Sequence, residues 1–398
     1  MTAEAPAAGR LGKYAAWGFY LVVGFEILYM ISPFALTFYS AYGPVLRFLD
    51  ARPQTAWLTD FFLPHFSETS SPLLNRLQKL GEPIFQAGLV LFAVGFVSIY
   101  GSKLARRGQP VTFGLYRWVR HPQYVALAVM GAGVMLRWPR MTVLVALVTM
   151  LFLYYFLARS EERRCLARYG DSYREYVGRT WMFLPGLGRR GVAHLMGGKG
   201  AVGRVLAAVA AWVLVVAASV WLAYRVRDYS LAHVSHTSSA DVAILSPALL
   251  SPAELGRAVA IAEQNNELLG RWRASPEGQG AKLLVYVVPA TWRLPDLPME
   301  AIKTGGHYTP KDFDRSKLKV LFTRAVTFRS TRPAEESGAG RGGPGASRTD
   351  PHGDDIIRAT VKRQPIILVR VDTSAGIIEA VEQPPATVRW GDIPTPLF

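Results

Sequence analysis

The chain has 398 residues, half of them hydrophobic, which exceeds one average domain and points to a membrane part joined to something else. Its formal net charge of +16 is uneven: residues 1–224 carry 23 Lys/Arg against 10 Asp/Glu, and residues 225–398 carry 22 against 19. The basic excess therefore accompanies the apolar half, as membrane orientation requires, and no nucleic-acid motif goes with it. A single cysteine, Cys165, excludes an intrachain disulfide and a cysteine-based zinc cluster.

A hydrocarbon core takes about 20 mostly apolar residues as a helix. Trp17–Phe38 has that length, contains Glu26 and Pro33, and reads as an uncleaved span rather than a signal peptide. Ile84–Tyr100 is a second span, short and free of charge. Pro122–Leu136 and Met141–Leu157 form a short apolar hairpin joined by "RWPR", and Val202–Tyr224 is the last span. At about 1.5 Å per residue the first arm of the hairpin reaches roughly 22 Å, so it is tilted or incomplete. These make about five apolar helices. Residues 102–120 carry Lys103, Arg106, Arg107, Arg117 and Arg120 with no acid, and 159–202 add nine more basic residues. The positive-inside rule places both loops in the cytoplasm. The N-terminus is then cytoplasmic, residues 41–82 lie outside, and so does everything after Tyr224; Arg137 and Arg140 at the hairpin tip count weakly against this. Glu26 within a span is expensive and marks either a function or a hydrogen-bonded, protonated acid.

The hairpin is flanked by "GLYRWVRHPQY" (114–124) and "ARSEERRCLARYGDSYREYVGRTWMFLP" (158–185), which its geometry brings together. Pro122 suits a first helical turn, and His121 falls near the N-cap beside orphan N–H groups. Glu161 and Glu162 stand at the exit of the returning helix. Together these residues form a polar pocket at the membrane face. A carboxylate can accept a ribose diol, Arg and backbone N–H groups can hold a carboxylate, and tyrosine faces can carry an adenine ring.

The pattern Gly114-x-Tyr116, Arg120-His121-Pro122-x-Tyr124, Glu161-Glu162, Tyr169-Gly170, Tyr173, Tyr176 and Pro185 resembles the isoprenylcysteine carboxyl methyltransferase family and its phospholipid methyltransferase relatives, over roughly residues 84–186. The resemblance implies an integral membrane enzyme using S-adenosylmethionine. It implies a cofactor pocket built by Tyr116, Arg120, His121, Tyr124, Glu161 and Glu162, with Arg120 placing the cofactor's carboxylate or anchoring the loop. It also implies a lipid-like or small hydrophobic acceptor bearing a carboxylate, thiol or amine. Many members have Gly two residues after the tyrosine, where this chain has Ala126. No metal is implied. Two other readings stay open. One is a methyltransferase-like scaffold that anchors an outer binding domain. The other is an NADPH-dependent membrane reductase, whose similar segment carries an acid soon after the tyrosine, where this chain has Val125, Ala126 and Leu127.

After Tyr224 the character changes. Residues 251–272 combine Ser251, Pro252 and Glu254 with helical apolar spacing and predict one amphipathic helix. "KLLVYVVPATW", "LKVLFTRAVTF", "PIILVRVD" and "GIIEAVEQ" predict strands, with a hairpin turn at Asp372–Gly376. Residues 331–354 are rich in Gly, Ser and Pro and predict a disordered loop. His233, His236 and Asp241 read as a polar linker, His307 as a turn residue, and Cys165 as structural. The expected architecture is an α-helical integral membrane domain, 1–224, followed by a small α+β domain, 225–398. The latter is placed outside the cytoplasm, where it binds an envelope partner or another copy of itself.

Overall fold

The computed structural model describes residues 7–50, 52, 54–65, 67–105, 111–184, 200–264, 266–292, 312–326, 356–357 and 362–384. The expected disordered loop 331–354, together with Arg106, Arg107, Pro185 and His307, lies outside the described residues. The chain forms two compact units. The first comprises Met1–Ser40, Gly81–Met135 and Val143–Ala218; the second comprises Ala41–Leu80, Leu136–Thr142 and Ser219–Phe398.

The first unit is built from five apolar helices: α1 (Ala7–Tyr39), most of α3 (Pro72–Ala105), α4 (Pro122–Arg137), α5 (Met141–Arg179) and α6 (Ala201–Leu231). Among the described residues three helices are long and apolar enough to cross a membrane: Pro72–Ser102, Met141–Arg179 and Val202–Leu231. Of the about five apolar helices expected, three are thus confirmed as candidate spans among the described residues. The 16 residues of α4 extend only about 24 Å, short of a full crossing. Apolar side chains such as Leu28, Val97 and Leu214 are exposed, which suits helices whose solvent is lipid.

Thr37 Oγ1 donates to Met150 Sδ at 3.6 Å and the Tyr154 hydroxyl to the Met30 carbonyl at 3.2 Å, so α1 and α5 run antiparallel. Trp212 Nε1 donates to Thr149 Oγ1 at 3.1 Å and joins α6 to α5. Helices α3 and α4 touch backbone to backbone at Gly88, where a Cβ would stand 2.7 Å from Met130 N and 2.9 Å from the Ala126 carbonyl. Ala126 is fully buried. The returning arm of the hairpin does not stop at Leu157. It continues as helix through Glu161 and Glu162 to Gly170, whose φ of 56° and ψ of −128° break it before a final stretch to Arg179.

In the second unit the hairpin tip is pinned rather than solvated. Arg140 is buried, donates from Nη1 to the Thr59 carbonyl at 2.8 Å, and lies 4.1 Å over the Phe61 ring. Phe62 N donates to the Pro139 carbonyl and Met141 N to the Asp60 carbonyl, both at 2.9 Å. Arg140 is therefore a packing residue and does not count as a loop charge. The short helix α2 (Gly43–Asp50) precedes this loop.

The sheet domain has six strands in chain order: β1 (Ser235–Ser238), β2 (Val242–Ser246), β3 (Lys282–Pro289), β4 (Lys317–Val326), β5 (Lys362–Asp372) and β6 (Ile377–Glu382). Only β2 and β3 are parallel, because α7 (Pro252–Glu263) and α8 (Glu267–Ala274) carry the chain between them. Those helices cover one face, over Val285, Val320, Phe322 and Val369. The other face buries Tyr286, Leu321 and Leu368 under Trp292, Ile356 and Ile357. The predicted single helix over 251–272 is two, because the Asn266 side chain caps a second start by accepting from Leu269 N. The capping box at Ser251 and Glu254 forms as its spacing requires. The supposed linker at His233–Asp241 is part of the sheet: His236 lies in β1, opposite Leu245. Asp372 makes the predicted turn by accepting from Ser374 N and Ala375 N at 2.8 and 3.0 Å.

Candidate functional site

A proline keeps the residue before it extended, so Pro122 holds the chain up to His121 out of helix. That extended stretch pairs with the end of the second segment. Arg120 N donates to the Trp181 carbonyl at 2.8 Å, His121 N to that of Met182 at 3.2 Å, and Trp181 N to that of Trp118 at 3.1 Å. The His121 carbonyl accepts from Val125 N at 3.2 Å, which makes His121 the N-cap of α4. The two flanking segments, 60 residues apart, are thus one strand-like clamp at the mouth of the helix pair.

At this clamp the side chains of five of the six predicted site residues, Arg120, His121, Tyr124, Glu161 and Glu162, meet, while that of Tyr116 bonds Gln123. Arg120 Nε donates to Glu162 Oε1 at 2.6 Å, with both side chains almost fully buried. Its Nη1 donates to the carbonyls of Thr180 and Val177 at 2.6 and 3.2 Å. Arg120 therefore closes the loop after Gly170 onto the helix. His121 sits between the carboxylates, with Nδ1 3.3 Å from Glu161 Oε2 and Nε2 3.6 Å from Glu162 Oε1. Burial disfavours the charged imidazolium, but the two carboxylates outweigh it and lift the His121 pKa above its ordinary value. Nε2 is buried without a hydrogen-bond partner among the described residues.

The aromatic residues form the wall. The Tyr124 hydroxyl donates to Glu161 Oε1, and its ring stacks on those of Tyr154 and His121 with centroids 4.7 and 5.6 Å apart. Tyr116, in a 3-10 turn over Gly114–Arg117, donates its hydroxyl to Gln123 Oε1, and its carbonyl accepts from the Tyr176 hydroxyl at 2.6 Å. Burial pushes the Tyr116 phenol far above its usual range, so it acts as a neutral donor. The two glutamates differ in access: the Glu162 side chain is 6% exposed and the Glu161 side chain 39%. Glu162 is the structural anion and Glu161 the one a ligand can reach.

Sequence reasoning missed Tyr154, Gln123 and Thr180. Tyr154 lies seven residues before Glu161, two helical turns on the same face, a spacing that could have found it. Thr180 contributes mainly its carbonyl, which leaves no residue-type signal. Among the described residues no group of three or more His, Cys, Asp or Glu could hold a metal ion.

A buried ionic knot under an aromatic wall, at the end of a helix hairpin in a bundle with three helices long and apolar enough to cross a membrane, belongs to an integral membrane protein. Residues 85–172 match the family model for phospholipid methyltransferases, a stretch that contains Tyr116, the clamp's first strand and both glutamates. No curated protein and no solved structure matches the chain.

Proposed function

We propose that the chain is an S-adenosylmethionine-dependent membrane methyltransferase acting on a lipid-like or small hydrophobic acceptor. The observation that carries this reading is the convergence of Arg120, His121, Tyr124, Glu161 and Glu162 on one knot inside the matched segment, with Tyr116 bonded to Gln123 in the same segment. The donor set fits the cofactor. Glu161 offers an accessible carboxylate for a ribose diol, and His121 Nε2 is a buried polar atom, 3.6 Å from Glu162 Oε1, that makes no hydrogen bond among the described residues. Arg120, with Nε and Nη1 engaged by Glu162 and two carbonyls, positions the loop rather than the ligand.

When bound, S-adenosylmethionine supplies a methyl group on a cationic sulfonium. The residues here have little acid–base work to do. Glu162 and Arg120 fix the clamp, His121 and Tyr124 orient Glu161, and the apolar helices keep water from the reacting side. A cytoplasmic N-terminus with the sheet domain outside remains part of the proposal. It is supported by the basic residues around the clamp and by the packing of three segments in the second unit. There Glu68 N donates to the Pro247 carbonyl at 2.7 Å and Ser70 N to that of His233 at 2.9 Å, alongside the pinned hairpin tip, and all three segments would share one side. Full-length protein in lipid vesicles, given cofactor labelled in its methyl group, should transfer label to the organic phase. The His121→Ala variant should lose most of that transfer. Equal transfer by wild type and variant would contradict the reading.

A further inference from the structure

The second face of the sheet domain carries a charge that its neighbours do not balance. Arg363, near the start of β5, pairs with Ala325 of β4, and residues paired across an antiparallel ladder share a face. Ala325 packs on the cluster of Tyr286, Leu321 and Leu368, so Arg363 belongs to that side and not to the side of α7 and α8. Its guanidinium carbon lies 5.7 Å over the Tyr286 ring, and the residue is only 7% exposed. Its Nε, Nη1 and Nη2 are buried, and none makes a hydrogen bond among the described residues. A ring face attracts the charge but leaves the fork of N–H donors unfilled. The other buried arginines of the hairpin do find acceptors: Arg120 has Glu162 and two carbonyls, and Arg140 has the Thr59 carbonyl. The neighbouring cations are engaged as well. Lys282, opposite Ala325 on β3, pairs with Asp241, Arg370 with Glu382 at 2.9 Å, and Lys319 donates to the Trp292 carbonyl at 3.3 Å.

We propose that Arg363 is the binding group of a ligand site in the sheet domain, and that its ligand is a singly charged oxyanion on an apolar body. A guanidinium buried without water or counter-charge is costly, and an oxyanion removes that cost. The planar fork presents parallel N–H groups that match two oxygens of a carboxylate or of a phosphodiester. One guanidinium balances one negative charge, so a phosphate dianion would keep an uncompensated charge in a low-dielectric place. Around the fork stand Tyr286, Leu321 and Leu368 with the covering Trp292, Ile356 and Ile357, which suit a hydrocarbon body and offer little to a sugar. The site lies within the sheet domain and stands or falls independently of the methyltransferase reading.

The test dialyses full-length protein in phosphatidylcholine nanodiscs to equilibrium against labelled octanoate, with uptake by empty nanodiscs subtracted. The wild type should take up octanoate saturably, and Arg363→Gln should bind it more weakly by about tenfold or more. Arg363→Lys keeps the charge without the fork and should fall between the two. Melting without ligand is an independent readout. Arg363→Met removes an uncompensated charge, so it should melt as high as ligand-free wild type or higher, and octanoate should raise the melting temperature of the wild type alone. Dihexanoyl phosphatidylglycerol below its micelle concentration separates the sources of the oxyanion. Displacement of octanoate by it, and not by the phosphatidylcholine analogue, assigns the site to an anionic lipid; no displacement by either assigns it to a free carboxylate. Octanoate uptake unchanged in Arg363→Gln overturns the proposal. So does an Arg363→Met variant that melts well below ligand-free wild type, the mark of an arginine already paired with an acid of its own chain.

Discussion

At the scale of single residues the ionic knot is held by charge balance in a buried place. His121 is drawn toward its protonated form by Glu161 and Glu162, against the effect of burial. Because its pKa in the folded protein is raised above the unfolded value of about 6.5, its contribution to stability is complete below about pH 6 and is lost as pH rises through the folded value. The melting temperature of the wild type should therefore fall as pH is raised from about 6 to about 9, and that of His121→Gln should fall less. Equal slopes would remove His121 from the ionic knot. Residue identities here were readable in the sequence because an Arg-His-Pro run and paired glutamates flank one apolar hairpin. The division of labour among them was not. Nothing local says that Arg120 spends two of its nitrogens on Glu162, Thr180 and Val177, or that Glu162 is sealed while Glu161 is open, since those facts depend on where a chain 40 to 60 residues away returns.

Two elements shape the pocket, and glycine sets the geometry of each. At Gly170 the backbone adopts a φ that side chains rarely tolerate, and the break separates the helix bearing Glu162 from the stretch bearing Tyr173 and Tyr176. At Gly88, α3 comes against the backbone of α4 on the turns that follow Tyr124. A methyl group there meets not only the Met130 side chain, with Cγ at 2.6 Å, but backbone atoms at 2.7 and 2.9 Å that cannot swing away, so Gly88→Ala should force the two helices apart. The expected cost is about 1–3 kcal/mol, with a lowered melting temperature and weaker cofactor binding. A variant as stable as wild type would mean that the helices are not in contact there. Elements with strong local signals were legible: the Ser251–Glu254 capping box, the Asp372 turn and the long strands around Val285, Val320 and Val369. The short strands β1 and β2 were not, because "SHTS" is polar and "VAILS" is too brief to show a period. The break between α7 and α8 also escaped, since apolar spacing continues across Asn266 and only its cap reveals the second start.

For the whole molecule, the distribution of basic residues and the sheet domain bear on sidedness. The proposed orientation predicts that alkaline phosphatase fused after Phe398 is active and that a fluorescent protein there is dark; the opposite result would put the sheet domain on the same side as the pocket. If the knot holds a cofactor, calorimetric titration of S-adenosylmethionine into full-length protein in nanodiscs will register it. The wild type should bind at one site. Replacing the accessible carboxylate by Glu161→Gln removes a charge-assisted hydrogen bond of about 1.5–3 kcal/mol, so affinity should fall by roughly 10- to 100-fold. No binding heat in the wild type, or an affinity untouched by Glu161→Gln, would contradict the account.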